Sequence, residues 1–552
     1  MPRDAFLEAG GFSPDFRRWG GEDTELGWRL YSAGLHVLGS PPDEASLTGY
    51  MDALYGCGEG GGTRGRLPAA ALAAVAAGAR ADDVVGLALA DAPDDAARAL
   101  LTSTAAEAVD VRSRLAKTGG ELDATLAALS GRYIAAAPGG DLLRDGPGAL
   151  PTGRNIHALD PYRMPSAAAM ARGARAADQI VSAHQAQNNG AFPETVAVNL
   201  WGLDAIKTKG ESVAIVLRLV GAAPVAEATG RVARFALTPL ADLGRPRIDV
   251  LANVSGIFRD SFQNVLDLLD ALFEAAATAD EPAALNFVRK HADAATAAGI
   301  ARPSSRLFSN PAGDYGSMVG ERVGASDWGS GSDLGDTWAS RNAASYGRGG
   351  ERGAPRPDLL KSLLATTDRV VQTVDSVEYG LTDIQEYYAN TGALARAAAD
   401  ARADAAGVAR SEAAPASVSI VEAFGDAPPK DLDAVLRLEY RSKLLNPRWA
   451  AAMVAQGSGG AFEVSQRVTA LLGWGATTDF KEDWAWDQTV ETYVDDDGVR
   501  EALVKANPEA FRNIVRRALE AAGRGLWNAD DATLARLRAA YSDVDDKLEG
   551  VA

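Results

Sequence analysis

Pro193-Glu-Thr-Val-Ala-Val-Asn-Leu-Trp-Gly-Leu-Asp-Ala-Ile-Lys-Thr-Lys-Gly-Glu-Ser212, continued by the apolar stretch to Val220, decides the fold. Val196–Leu200 is a short apolar run of strand length, Gly202–Gly210 reads as a loop, and Glu211–Val220 has the spacing of a helix. The pattern returns at Ile248–Val254, with Ser255–Asp260 as loop and Ser261–Ala277 as a long amphipathic helix. Repeated strand–loop–helix units predict an α/β fold with a largely parallel sheet. Ligands of such sheets bind at the carboxyl ends of the strands, where these loops lie.

Outward from this core the text changes character. Residues 43–150 are rich in Ala, Gly and Asp, with helical spacing in Leu67–Ala79, Ala92–Ala105 and Val109–Leu129 and a flexible break at Gly56–Gly65. Residues 151–300 hold the α/β core. Residues 301–355 are loop-heavy and read as an insertion or lid. Residues 356–552 are predicted to be mainly helical, with helices at Asp431–Lys443, Asn446–Ala455, Phe462–Leu472, Pro508–Ala522 and Asp530–Leu548. Asn446-Pro447 and Asn507-Pro508 are helix starts with proline in the first turn.

The chain has 552 residues, 47% hydrophobic and 23% charged, as expected of several globular domains. Its 55 basic and 74 acidic side chains give a net charge of −19, which leaves no basic face for nucleic acid. Cys57 is the one cysteine, so no intrachain disulfide or thiolate zinc site is expected, and a reducing cytoplasmic location fits. No signal pattern or membrane-length apolar run is seen. The G-x-x-x-x-G-K-S/T loop, the H-E-x-x-H pair, the nucleophile elbow and a G-x-G-x-x-G turn are all missing, so ATP hydrolysis by this chain, zinc or serine hydrolysis and dinucleotide chemistry have no anchor.

The ionisable residues beside the strands are the candidate site. Asp204 and Glu211 flank Lys207 after the first strand, and Asp260 follows Arg259 after the second. Neighbouring strand ends would bring these groups onto one rim. Glu211 fits helix-end stabilisation as well as metal delivery. Asp242 is a further acid. Of four histidines, His36 lies in the distinct head, His184 reads as a surface residue, and His157 and His291 are candidate bases. Arg154, Lys207, Arg245, Arg247, Arg259 and Arg289 could meet a ligand's carboxylates or form internal salt bridges.

Several phrases in one order resemble the magnesium chelatase/cobaltochelatase large-subunit family from about residue 112 onward. They include Leu150–Asp160, Pro193–Ser212, Arg245-Pro-Arg-Ile-Asp249, Ser255-Gly-Ile-Phe-Arg-Asp260, Asn286–His291, Arg306-Leu-Phe-Ser-Asn310, Lys443-Leu-Leu-Asn-Pro447 and Gly523-Arg-Gly525. Leu381-Thr-Asp383 and Trp474 fit the magnesium branch better than the cobalt branch. The family carries two adjacent acids where this chain has Ala241-Asp242, which removes any role for the first.

The resemblance implies porphyrin binding and insertion of Mg²⁺ into protoporphyrin IX for chlorophyll or bacteriochlorophyll synthesis. ATP would be hydrolysed by partner proteins, an AAA+ ATPase (I) subunit and a D subunit. On that reading Glu211, Asp204 and Asp242 would handle the metal, and Glu211, Asp260, His157 and His291 would be catalytic. Arg154, Lys207, Arg259 and Arg289 would hold the substrate. A cobaltochelatase acting on a corrin precursor and a tetrapyrrole-binding fragment without turnover are the alternatives. Family members run much longer, so a C-terminal part is expected.

The head, residues 1–42, differs. Gly10-Gly11-Phe12 and Trp19-Gly20-Gly21-Glu22-Asp23-Thr24-Glu25-Leu26 resemble the acceptor-side end of inverting glycosyltransferases. About forty residues cannot bury a catalytic core alone, so a fusion or assembly artefact is expected rather than a working transferase.

Overall fold

The computed structural model describes residues 67–89, 95–138, 150–157, 160–349, 352–376, 379–423, 428–478 and 480–551. The head with His36, the Cys57 loop and most of the Pro138–Arg144 phrase lie outside them. The chain divides into two units, 1–159 and 160–552.

The first unit is helical, with α1 (Ala69–Ala76), α2 (Ala81–Ala88), α3 (Asp95–Leu115) and α4 (Gly120–Leu129). Leu72, Val75, Val84, Val111 and Leu115 are among the side chains of its core. The α3 helix runs through the boundary expected near Ala105, because Ala105, Ala108 and Val111 keep one buried stripe going. Strands β1 (Ala136–Pro138) and β2 (Asn155–His157) pair in parallel.

The second unit is built on an eight-stranded sheet. After α5 (Ala167–Gln187) come β3 (Thr195–Leu200), α6 (Gly202–Thr208) and α7 (Glu211–Val220), then a hairpin of β4 (Ala222–Ala226) and β5 (Val232–Leu237). Strand β6 (Asp249–Val254) leads to α8 (Gly256–Ser261), α9 (Gln263–Thr278) and α10 (Phe287–Ala297). The remaining strands are β7 (Leu307–Ser309), β8 (Ala344–Tyr346), β9 (Arg352–Pro355), β10 (Thr367–Val374), β11 (Ser417–Glu422) and β12 (Lys430–Asp431). Their order is β12-β11-β10-β3-β6-β7-β8-β9. The five central strands are parallel; at the edges β12 and β8 run against them, and β9 pairs antiparallel with β8.

Every residue of β3 and β6 is buried, as a sheet covered on both faces requires. Gly173 lets α5 sit tightly on α7, since a Cβ there would come within 2.6 Å of Ala214 Cβ. The parallel α/β sheet was legible, but its extent was not. The loop-heavy range 301–355 supplies β7–β9, and the helical range 356–552 supplies β10–β12. Beyond β12 the chain is helical as expected, and Asn446 and Asn507 cap helices Pro447–Ala455 and Pro508–Gly523 through their side chains. No helix among the described residues is long and apolar enough to cross a membrane.

Candidate functional site

The parallel register pairs Leu200 with Val254, so the segments leaving β3 and β6 start side by side at the carboxyl edge. Both expected loops are short helices. Ser255 Oγ fixes them together, accepting from Phe258 N at 3.2 Å to cap α8 and from Gly202 N of α6 at 3.1 Å. Lys209 and Gly210 both take left-handed backbone conformations and turn the chain from α6 into α7.

Asp204, on α6, is 3% exposed, and neither carboxylate oxygen has a hydrogen-bond partner. Burial pushes its pKa up to about 8, reinforced by the nearby Asp375 and Glu211 carboxylates and offset in part by Ser212 and Lys207. Lys207 is engaged by Asp375 at 2.6 Å, just beyond the end of β10. Glu211 is buried at the first turn of α7; its amide donates to Thr208 Oγ1, and its carboxylate accepts from Arg172 Nε of α5 at 2.8 Å.

One strand over, the Arg259 guanidinium is buried and donates to the carbonyls of Asn310, Pro311 and Asp314. It also grips Asp260 through two hydrogen bonds, and with Tyr315 Oη it holds that carboxyl below the usual range. Asp204 and Asp260 thus share an edge, but only Asp260 is held by a cation, through Arg259.

Beneath the rim lies a polar network that the sequence reading missed. Asn199 Nδ2 donates to Gln372 Oε1 and Thr391 Oγ1, and Asn253 Nδ2 donates to Asn199 Oδ1 at 2.7 Å. Its signal was present, since an asparagine occupies the penultimate position of both β3 and β6. Thr391 belongs to a π-helical turn, Tyr387–Gly392, a geometry frequent at functional sites. Tyr387 of that turn stacks on Trp201 with centroids 4.8 Å apart. Its hydroxyl is pushed well above its ordinary pKa by burial and by Asp375, Asp204, Glu439 and Asp383. Glu439 in turn accepts from the amides of Leu381 and Thr382, while Asp383 pairs with Lys443 and Arg467.

The other expected residues of the second unit lie away from this rim. His291, on α10, sits at the amino edge of the sheet, with Nδ1 2.8 Å from Asp249 Oδ2 and Nε2 3.2 Å from Glu194 Oε2. Arg306 completes the cluster at 2.7 Å from Asp249 Oδ1. Five strand rises separate this end from the carboxyl rim, about 16 Å. Arg289 donates to the carbonyls of Ala279 and Glu281 just past α9, and Asp242 is exposed on the short helix before β6. Arg247 is buried against Glu281, and Arg245 donates to the carbonyls of Leu219 and Pro246. His184 is buried rather than on the surface, and burial lowers its pKa. Arg154 and His157 belong to the first unit, where Arg154 is exposed and His157 ends β2. Glu211, Asp204 and Asp242 therefore form no common ligand set, and no group of three or more His, Cys, Asp or Glu among the described residues could hold a metal ion.

A family model described as CobN/Magnesium Chelatase matches residues 24–534. The chain belongs to this chelatase family. The match begins inside the segment that resembles a glycosyltransferase end, well before residue 112.

Over 441 residues the chain is 45% identical to the magnesium-chelatase H subunit of Chlorobaculum parvum, covering 79% of this chain and 34% of that protein. The magnesium-chelatase H subunit of Cereibacter sphaeroides is 40% identical over 78% of this chain and 35% of its own length. Aerobic cobaltochelatase subunit CobN of Sinorhizobium sp is 30% identical over 74% of this chain and 32% of its own length. The solved catalytic subunit of cobaltochelatase from Mycobacterium tuberculosis superposes with a TM-score of 0.77 at 29% identity, covering 96% of this chain and 48% of that one. The chain spans about a third of the length of these curated relatives.

Proposed function

We propose that this chain carries the metal-insertion site of a magnesium chelatase, with Mg²⁺ and protoporphyrin IX as substrates and ATP hydrolysed by an AAA+ ATPase subunit and a D subunit. The observation that carries the reading is Asp204. Insertion releases two pyrrole N–H protons as the divalent cation enters the ring, so a base must stand near the macrocycle. A carboxyl with a pKa of about 8 is ionised in part at neutral pH and increasingly above it, and in that form it can accept one of these protons. Asp375 and Glu211, paired with Lys207 and Arg172, lie beside it and help to hold that pKa up.

In this reading His291 and Arg289 hold the amino edge together and take no part in proton transfer. Identity favours magnesium over cobalt, 45% and 40% against 30%. The cobaltochelatase alternative is supported by the fold-level likeness to the mycobacterial enzyme. The test is an insertion assay with partner subunits and ATP, supplying Mg²⁺ with protoporphyrin IX and Co²⁺ with a corrin precursor in parallel. Magnesium porphyrin fluorescence is expected; cobalt insertion without magnesium insertion would overturn the metal assignment. Tetrapyrrole binding with no insertion of either metal would make this chain a binding fragment.

A further inference from the structure

Three large apolar side chains stand exposed in a row along the carboxyl edge: Leu203 at 46%, Ile257 at 44% and Tyr315 at 63%. They follow three adjacent strands, β3, β6 and β7. Two glycines let Ile257 and Tyr315 sit close against the neighbouring helices. A Cβ on Gly202 would lie 2.4 Å from Ile257 Cγ2, and one on Gly256 would lie 2.4 Å from Tyr315 Cδ1. Ile257 therefore rests on the backbone of α6, and the Tyr315 ring rests on the backbone of α8. The three residues overlap from strand to strand like shingles.

The aromatic member is exposed yet fixed. Tyr315 Oη donates to Asp260 Oδ2 at 2.8 Å, and the Arg259 guanidinium lies 5.5 Å from the ring centroid. Arg259 is itself 2% exposed and fully engaged by carbonyls and Asp260. A solvent-facing tyrosine ordinarily keeps rotamer freedom; this one is tied at its hydroxyl and backed by a cation. Such a ring loses little entropy on stacking and presents a π-face polarised by the charge at its side. Two strand spacings separate the first strand from the last, about 10 Å across the row.

We propose that Leu203, Ile257 and Tyr315 form a shelf that takes one face of the tetrapyrrole ring. The occupant follows from the shelf's chemistry, a row of apolar side chains across three adjacent strands with a fixed aromatic, and from its continuity with the rim that holds Asp204 one residue after Leu203. The inference rests on the chelatase reading and deepens it by naming the residues that meet the macrocycle.

The experiment titrates deuteroporphyrin IX, a water-soluble dicarboxylate porphyrin, into the full chain and follows the Soret band. The wild type is expected to bind, and Tyr315→Ala and Ile257→Asp are each expected to raise Kd at least tenfold. Tyr315→Phe, which keeps the ring, should lose only a few-fold, and Leu438→Ala, which removes an exposed leucine on a different helix, should bind as the wild type does. Far-UV circular dichroism and Tm check that the variants fold. Wild-type affinity in both Tyr315→Ala and Ile257→Asp would overturn the shelf while leaving the chelatase reading intact. A wild type that binds no porphyrin would overturn both. Dimerisation abolished by Ile257→Asp with porphyrin affinity unchanged would reassign the row to a contact between copies.

Discussion

Lys207 Nζ lies 2.6 Å from Asp375 Oδ2, joining the helix that leaves β3 to the end of the neighbouring strand β10. Both side chains are largely buried, and the Asp204 carboxyl shares their field. Removing the cation leaves two acids facing each other in a low-dielectric rim. Lys207→Met is expected to destabilise the fold by roughly 3 kcal/mol at pH 7, the cost of an orphaned buried charge. Adding Asp375→Asn should restore most of that loss. Urea unfolding of both single variants and the double variant measures the coupling; additive effects would show that the pair is not energetically linked.

Asp204 sets a pH dependence of definite sign. In the folded chain its pKa is about 8, against an ordinary 3.8. The folded state therefore keeps a proton that the unfolded chain releases near pH 4. This group's contribution to stability is greatest below pH 4 and falls steadily as pH rises to about 8, where it levels. The full span corresponds to on the order of 5 kcal/mol. Asp204→Asn should flatten this limb and raise Tm at pH 8.5. The same substitution is expected to lower the insertion rate at least 100-fold, as loss of a general base does. Higher stability with undiminished insertion would remove Asp204 from the chemistry.

The carboxylates that His291 contacts give the opposite pattern. Its ring joins Asp249, Glu194 and Arg306 at the amino edge, and Asp249 and Glu194 are both held below their ordinary pKa values despite burial, by Arg306 and His291 for the first and by Lys290 and His291 for the second. Their contribution is present above the ordinary carboxylate range and is lost as pH falls through the lowered values. His291→Ala should cost about 2–3 kcal/mol by leaving Asp249 short of a partner. It should also make unfolding below pH 4 less steep, and leave the pH profile of insertion in place. A shifted alkaline or acid limb in that profile would return His291 to the list of bases.

Local pattern carried much of the fold. Val196–Leu200 and Ile248–Val254 are apolar runs that only a doubly covered strand accommodates, and Asn-Pro pairs mark two helix starts by their own chemistry. Short strands such as Leu307–Ser309 and Ala344–Tyr346 were hidden, because three residues carry no period. The site was half legible. Asp204, Lys207, Glu211, Arg259 and Asp260 are close in sequence to the strand ends that position them. Their partners Arg172, Asp375 and Tyr315 are not, and no spacing rule links them. His291 was placed by its motif, yet the edge it occupies depends on the chain returning through α9, which reverses direction across the sheet.

The glycine steps of the rim are the sharpest test of that geometry. A methyl group on Gly202 would meet Ile257 Cγ2 at 2.4 Å and the Phe258 amide nitrogen at 2.8 Å. The side chain could swing away, but the amide belongs to α8, which Ser255 caps and ties to α6. Relief therefore requires the two helices to separate. Gly202→Ala is expected to cost about 1–3 kcal/mol, as overpacking does. Gly324, inside helix Val319–Ala325, has an ordinary helical φ, and a methyl group added there would meet no atom within 4 Å. Gly324→Ala should therefore be neutral or stabilising by up to about 1 kcal/mol. Thermal unfolding of the two variants side by side checks the contrast. Equal effects would mean that α6 and α8 are not held in contact at the carboxyl edge.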